Sequence, residues 1–168
     1  MCPKRGGKMG VSYDMDNCVT TTLEKIVDVQ NEVRNNHCNK CESFCVCEFN
    51  ENDDIKNTVP VVLYCGCEPF KAEGITTFIP KDSKRKSFYA FSTFLFKVKD
   101  IINDCVVLEL LLFEGPNNCV KDKKNCGCCS LTCQAHCREI DQLRLTGVCI
   151  KMEIKTFTGI QCLPAVNL

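Results

Sequence analysis

Val148-Cys149-Ile150-Lys151-Met152-Glu153-Ile154-Lys155 alternates, residue by residue, between apolar side chains and a Cys, Lys, Glu, Lys series. Successive side chains of an extended chain point to opposite faces. Val148, Ile150, Met152 and Ile154 therefore share one face, and Cys149, Lys151, Glu153 and Lys155 the other. A strict period of two predicts a strand with one buried and one solvated face, the habit of antiparallel sheets. Cys149 falls on the charged face, whereas a structural cysteine is expected among the apolar set.

Outward from that stretch, the runs 59–65, 70–79, 88–99 and 105–113 also read as strands, rich in Val, Ile, Phe and Thr. Asn103-Asp104 is a two-residue hairpin turn signal between the last two. Before the strands, Val19, Leu23, Ile26, Val27, Gln30 and Val33 form one stripe at helical spacing, which predicts a helix over 17–34. Residues 1–16 are polar and Gly-rich and read as an N-terminal arm. The expected fold is mainly β: a small antiparallel β-sandwich with one N-terminal helix and cysteine-rich loops. One domain is expected over 17–168: helix 17–34, cysteine-rich loop 37–58, a β-domain from 59–114 and 143–168, and a cysteine-rich insertion at 115–142. Its expected core is Val61, Leu63, Phe94, Phe96, Val98, Val107, Leu110, Ile150, Met152 and Ile154. The aromatic set Phe88, Tyr89, Phe91, Phe94 and Phe96 is assigned to hairpin core packing, because no basic face interleaves it for base stacking.

Seventeen of the 168 residues are cysteine. They are Cys2, Cys18, the group Cys38, Cys41, Cys45 and Cys47, the pair Cys65 and Cys67, Cys105, Cys119, the group Cys126, Cys128, Cys129, Cys133 and Cys137, Cys149 and Cys162. Such density normally marks a short secreted disulfide scaffold. A chain of this length buries about 70% of its unfolded surface and needs no staples. The basic start Met1 to Gly10 is followed by no apolar segment, so it does not read as a signal peptide. Synthesis in the cytosol, where thiols stay reduced, is therefore expected. The longest apolar run, 105–113, is broken by Glu109 and is far too short to span a bilayer. With 21 basic residues against 21 acidic ones, no large field points to nucleic acid or an anionic membrane.

The order of motifs resembles the family of spore coat proteins Y and Z and exosporium protein Y of Bacillus-type bacteria. Asn17-Cys18-Val19, leading to Ile26 and Gln30, is similar to the family's N-terminal Cys-Val helix. The run from Asn57-Thr58-Val59-Pro60 to Tyr64, with Pro69-Phe70, resembles its Thr-x-Pro-Phe strand. Thr93-Phe94-Leu95-Phe96-Lys97-Val98, returning through Asp104-Cys105-Val106-Val107-Leu108, resembles its central hairpin. Cys149-Ile150-Lys151-Met152-Glu153-Ile154, ending in Gly159-Ile160-Gln161-Cys162-Leu163, tracks its C-terminal motif and is the most specific of the four. Two departures stand out. Thr156-Phe157-Thr158 occupies the place of a family Cys-Phe-Cys, and the insertion at 115–142 is far richer in cysteine.

The resemblance implies a structural protein of the spore's outer coat or exosporium. It would be made in the mother-cell cytosol and would assemble with itself and other coat proteins, or anchor a surface filament or appendage. Disulfides would form once mother-cell lysis exposes the thiols. All seventeen cysteines are then cross-linking candidates, and their odd number leaves at least one outside internal pairs. A zinc-binding interaction module is the alternative, with Cys38, Cys41, Cys126 and Cys129 as ligands, because Cys-x2-Cys spacing suits tetrahedral zinc. Otherwise no cofactor is expected. An enzyme is disfavoured: His37 and His136 are the only histidines, both lie within cysteine groups, and no phosphate-binding loop or nucleophile elbow is present.

Overall fold

A computed structural model describes residues 18–34, 56–80, 84–114 and 130–168. The arm expected at 1–16, most of the 37–58 loop and most of the 115–142 insertion lie outside the described residues. The fold is mainly antiparallel β, with the expected helix at its N-terminal end.

Helix α1 spans Cys18–Arg34. Val19, Leu23 and Ile26 are buried, so the predicted stripe faces the protein interior. Strand β1, Pro60–Cys65, is a continuous apolar run with its first four residues buried. That pattern belongs to a strand covered on both faces. β8, Gly159–Cys162, pairs along one edge of β1, from Val61↔Cys162 to Tyr64↔Gly159. The other edge is shared by two strands. β5, Phe96–Ile102, pairs at Pro60 and Val61, and the short β2, Glu68–Pro69, pairs at Tyr64 and Cys65. β6, Cys105–Phe113, and then β7, Leu143–Glu153, complete the curled sheet. Asn103, at φ 54°, supplies the left-handed residue that the tight β5–β6 turn needs.

Two bulges shape the sheet. The first falls in β5 between Val98 and Asp100. There the Gln30 side chain donates to the Val98 carbonyl at 2.8 Å and accepts from the Val59 amide at 3.2 Å. One buried amide thus ties α1 to two strands, although spacing alone would count Gln30 as part of an apolar stripe. The second bulge lies opposite Leu110 in β7. Gly147 takes φ 72° there, and its amide donates to the buried Glu109 carboxylate at 3.1 Å.

Beneath α1 the core holds Val61, Leu63, Phe96, Val98, Leu108, Leu110, Ile154 and Phe157. Phe70 stacks on Phe96 and meets Phe157 edge-on. A second cluster on the opposite face joins Val62, Leu95, Leu111, Leu143 and Val166. The end of the chain is clasped to the start of β1, because Thr58 and Val166 exchange backbone bonds of 3.0 and 2.8 Å. Inside the insertion, the short helix α2, Leu131–Ala135, is capped by Ser130. Its buried Gln134 accepts from the Phe94 amide and donates to the Thr93 hydroxyl, holding the chain where it turns into β5.

β3, Ala72–Phe78, and β4, Ser87–Thr93, form a separate two-stranded ribbon. At its base Gly74 lies under the Phe91 ring, so close that a Cβ would sit 2.5 Å from Cζ. Away from the base the ribbon is open. Phe88 is 81% exposed and Tyr89 49%. Their assignment to the core is thereby corrected, while Phe94 and Phe96 are buried and Phe91 packs against the core at the ribbon base. Val107 is corrected too: it is half-buried on the face turned away from α1, opposite Lys151.

Candidate functional site

The chemistry most abundant in this chain is thiol chemistry, and the strands decide where each thiol points. β7 keeps the expected alternation: Val148, Ile150 and Met152 pack against the core, and Cys149, Lys151 and Glu153 are exposed. Cys149 stands opposite Glu109, and Cys105 stands opposite Glu153. Residues 105, 107 and 109 alternate onto one face, so Cys105 and Cys149 lie on the same face of the β6–β7 ladder. Four residues of strand separate them, about 13 Å at the usual rise. A disulfide requires Cα atoms within about 7 Å, so these two thiols cannot reach each other. Cys18 is exposed at the start of α1.

Cys65 and Cys162 behave differently. Both pack against the core beneath α1, unlike the outward Cys149. Cys162 lies opposite Val61, four residues along β1 from Cys65, so the same separation keeps this pair apart. Cys67 is not a strand neighbour of Cys65 either. It sits exposed in the β1–β2 turn beside Gly66, whose φ is 65°. Cys67 and Cys137 are each in the disulfide form, whereas Cys133 in α2 carries a thiol. Cys2, Cys38, Cys41, Cys45, Cys47, Cys119, Cys126, Cys128 and Cys129 lie outside the described residues, and with them the zinc alternative. Among the described residues no group of three or more His, Cys, Asp or Glu is placed to hold a metal.

Three of the described thiols are made less acidic by their surroundings. Burial pushes the Cys65 and Cys162 thiols above their ordinary range. For Cys149, partial burial of the sulfur raises the thiol, the Glu109 carboxylate raises it further, and the Lys99 ammonium draws it partly back. Lys99 is committed to Glu109 at 3.0 Å. A thiolate is the attacking species in both alkylation and disulfide exchange. Iodoacetamide capture of Cys149, followed by mass spectrometry, is therefore expected to be slower at pH 7 than for a free cysteine peptide. It should accelerate steeply as pH rises toward the elevated thiol range. Peptide-like rates at pH 7 would contradict the shielding of Cys149 by partial burial and the Glu109 carboxylate.

The motif Thr156-Phe157-Thr158 acquires a structural meaning. Phe157 is buried, and the threonines on either side are exposed. The Thr158 hydroxyl contacts the Tyr64 and Gly66 carbonyls at 3.2 and 2.9 Å. The central aromatic is thus a core residue and the two flanking positions are surface positions. The alternation that runs to Ile154 would place Phe157 outward, and the 3-10 turn at Ile154–Thr156 shifts the phase so that it faces the core. The open ribbon face had no signal either, because its apolar residues look like core in sequence.

No helix among the described residues is long and apolar enough to cross a membrane. In comparisons with known proteins, the model of the spore coat protein Z family matches residues 7–165. No curated protein and no solved structure matches the chain.

Proposed function

The chain belongs to the spore coat protein Z family, a structural protein of the spore coat, and from that premise we propose that it builds the outer layer by associating with copies of itself and with other coat proteins, the contacts then being locked by disulfides. The observation that carries this reading is the placement of thiols on outward strand and helix positions, with Cys105 and Cys149 too far apart to pair with each other. Cys105 and Cys149 share a face about 13 Å apart, and Cys18 is exposed on α1. A disulfide closed between molecules in an oxidising exterior resists reduction, so a weak contact becomes permanent. The raised thiol of Cys149 suits this role, since a smaller thiolate fraction slows its premature oxidation. The division between lattice subunit and anchor for an appendage follows from how many neighbours each copy engages.

The test is electrophoresis of the oxidised chain with and without reductant. A ladder of high-mass species that collapses on reduction is expected. Cys149→Ser should thin that ladder while keeping the unfolding free energy within about 0.5 kcal/mol of the parent, as for other exposed positions. A chain that stays monomeric in air would sink the proposal. Stoichiometric zinc on such a monomer would favour the interaction-module reading instead.

A further inference from the structure

The β3–β4 ribbon has one face turned to the molecule and one turned away. Ala72, Gly74, Phe91 and Thr93 lie on the inner face, buried or half-buried at the base. The outer face carries Glu73, Ile75 and Thr77 from β3, with Phe88, Ala90 and Ser92 from β4, and all but Ser92 are exposed. The same alternation continues one residue beyond each strand to Ile79 and Lys86. Ile75 is 64% exposed, Ile79 59% and Phe88 81%. A two-stranded ribbon is at best marginally stable alone. A contiguous apolar face on it marks a docking surface.

We propose that this outer face docks onto the same face of a second copy, the two ribbons stacking antiparallel about a two-fold axis. The pattern along the face is self-complementary. It runs from an acidic residue at the base, Glu73, through Ile75, Phe88 and Ile79, to a basic residue at the tip, Lys86. Glu73 lies opposite Ser92, and Lys86 lies just beyond the last strand pair, Phe78↔Ser87. The two charges are therefore about 20 Å apart. Antiparallel stacking lays β4 over β4 of the second copy, which sets each Phe88 over Ala90 with Ile75 diagonally beside it, and brings each Lys86 within diagonal reach of Glu73. A two-fold interface uses one patch twice in this way. Among the described residues no ion pair engages Glu73 or Lys86. Zero net charge on the chain leaves no long-range repulsion to oppose the pairing. A ribbon face of seven-residue strands measures about 23 Å by about 10 Å. That places the contact in the small, weak class of interfaces.

The inference rests on the reading that the chain associates with itself, and it specifies a contact that forms without any disulfide. The test is sedimentation velocity of the full chain, kept reduced and then capped with iodoacetamide, up to about 200 μM, a range suited to weak interfaces. A concentration-dependent monomer–dimer equilibrium is expected. Phe88→Ser should weaken it at least tenfold, and the high exposure of Phe88 protects folding from that change. Glu73→Lys and Lys86→Glu should each weaken it, and the two together in one chain should restore it. A capped chain that stays monomeric throughout overturns the proposal, as does Phe88→Ser with unchanged association or a double charge reversal without rescue. A disulfide ladder appearing on gels in that case would leave the cross-linking reading standing, so the two failures are distinguishable.

Discussion

Phe157→Ala is expected to lower the unfolding free energy by about 3–5 kcal/mol, the usual cost of deleting a large buried aromatic. The ring is 1% exposed and meets Phe70 edge-on, and Phe70 in turn stacks on the fully buried Phe96. Removing it opens a void between the β1–β2 hairpin and the turn leading to β8. That turn is fixed at both ends: the Phe157 amide donates to Ile154, and the Thr158 amide to Tyr64. The backbone therefore has little freedom to collapse into the space. Domains of this size are stable by about 5–15 kcal/mol, so the loss is a large share of the total. Urea denaturation reads it as a lower midpoint at unchanged slope. Phe157→Leu should cost clearly less. Thr156→Cys and Thr158→Cys, which recreate the family's thiols on the flanking surface positions, should fold. A loss below about 1 kcal/mol for the alanine variant would mean that the Phe70–Phe96–Phe157 cluster does not carry this end of the core.

Gln30→Leu is expected to cost about 2–4 kcal/mol even though it adds apolar surface to an apolar stripe. Each buried polar group left without a partner costs about 1–3 kcal/mol. Here two are orphaned: the Val98 carbonyl at the β5 bulge and the Val59 amide at the approach to β1. Hydrogen exchange separates this cause from a packing defect. The Val59 amide should exchange much faster in the variant, whereas amides of the β6–β7 ladder should follow only the global change in stability. Gln30→Glu tests the polarity of the contact, because an ionised carboxylate can still accept from Val59 but cannot donate to Val98. Wild-type stability of Gln30→Leu would show that water replaces the amide at both sites.

The residues that broadcast themselves in sequence are those with a strict period. Helix α1 starts one residue from its expected limit, and β6 has the expected ends, because apolar spacing and the Asn103-Asp104 turn leave little choice. The outward aim of Cys149 was legible for the same reason. The run 88–99 was read as one strand, yet it divides at Phe94-Leu95 into β4 and β5. No Gly or Pro marks that break. It is held by Thr93 and by Gln134, a residue forty positions later, so only tertiary structure reveals it. Phe88 and Tyr89 misled because an aromatic-rich run was assigned to core packing, and composition cannot say which side of a ribbon meets the rest of the molecule. Gln30 and Glu109 were illegible as staples, since each satisfies a backbone group exposed by a bulge, and bulges leave no simple mark in the chain.

The separation of Cys105 from Cys149, with Cys18 exposed on α1, has a consequence in the language of polymer networks. A unit with one reactive group gives pairs, and a unit with two gives strings. A unit with three or more gives a network that percolates before every group has reacted. Material joined in that manner becomes a continuous solid while many of its bonds are still unmade, and it tolerates the loss of any one of them. Under the proposed cross-linking, the strength of a layer built from such units depends on the number of independent attachment points per unit as well as on the strength of each.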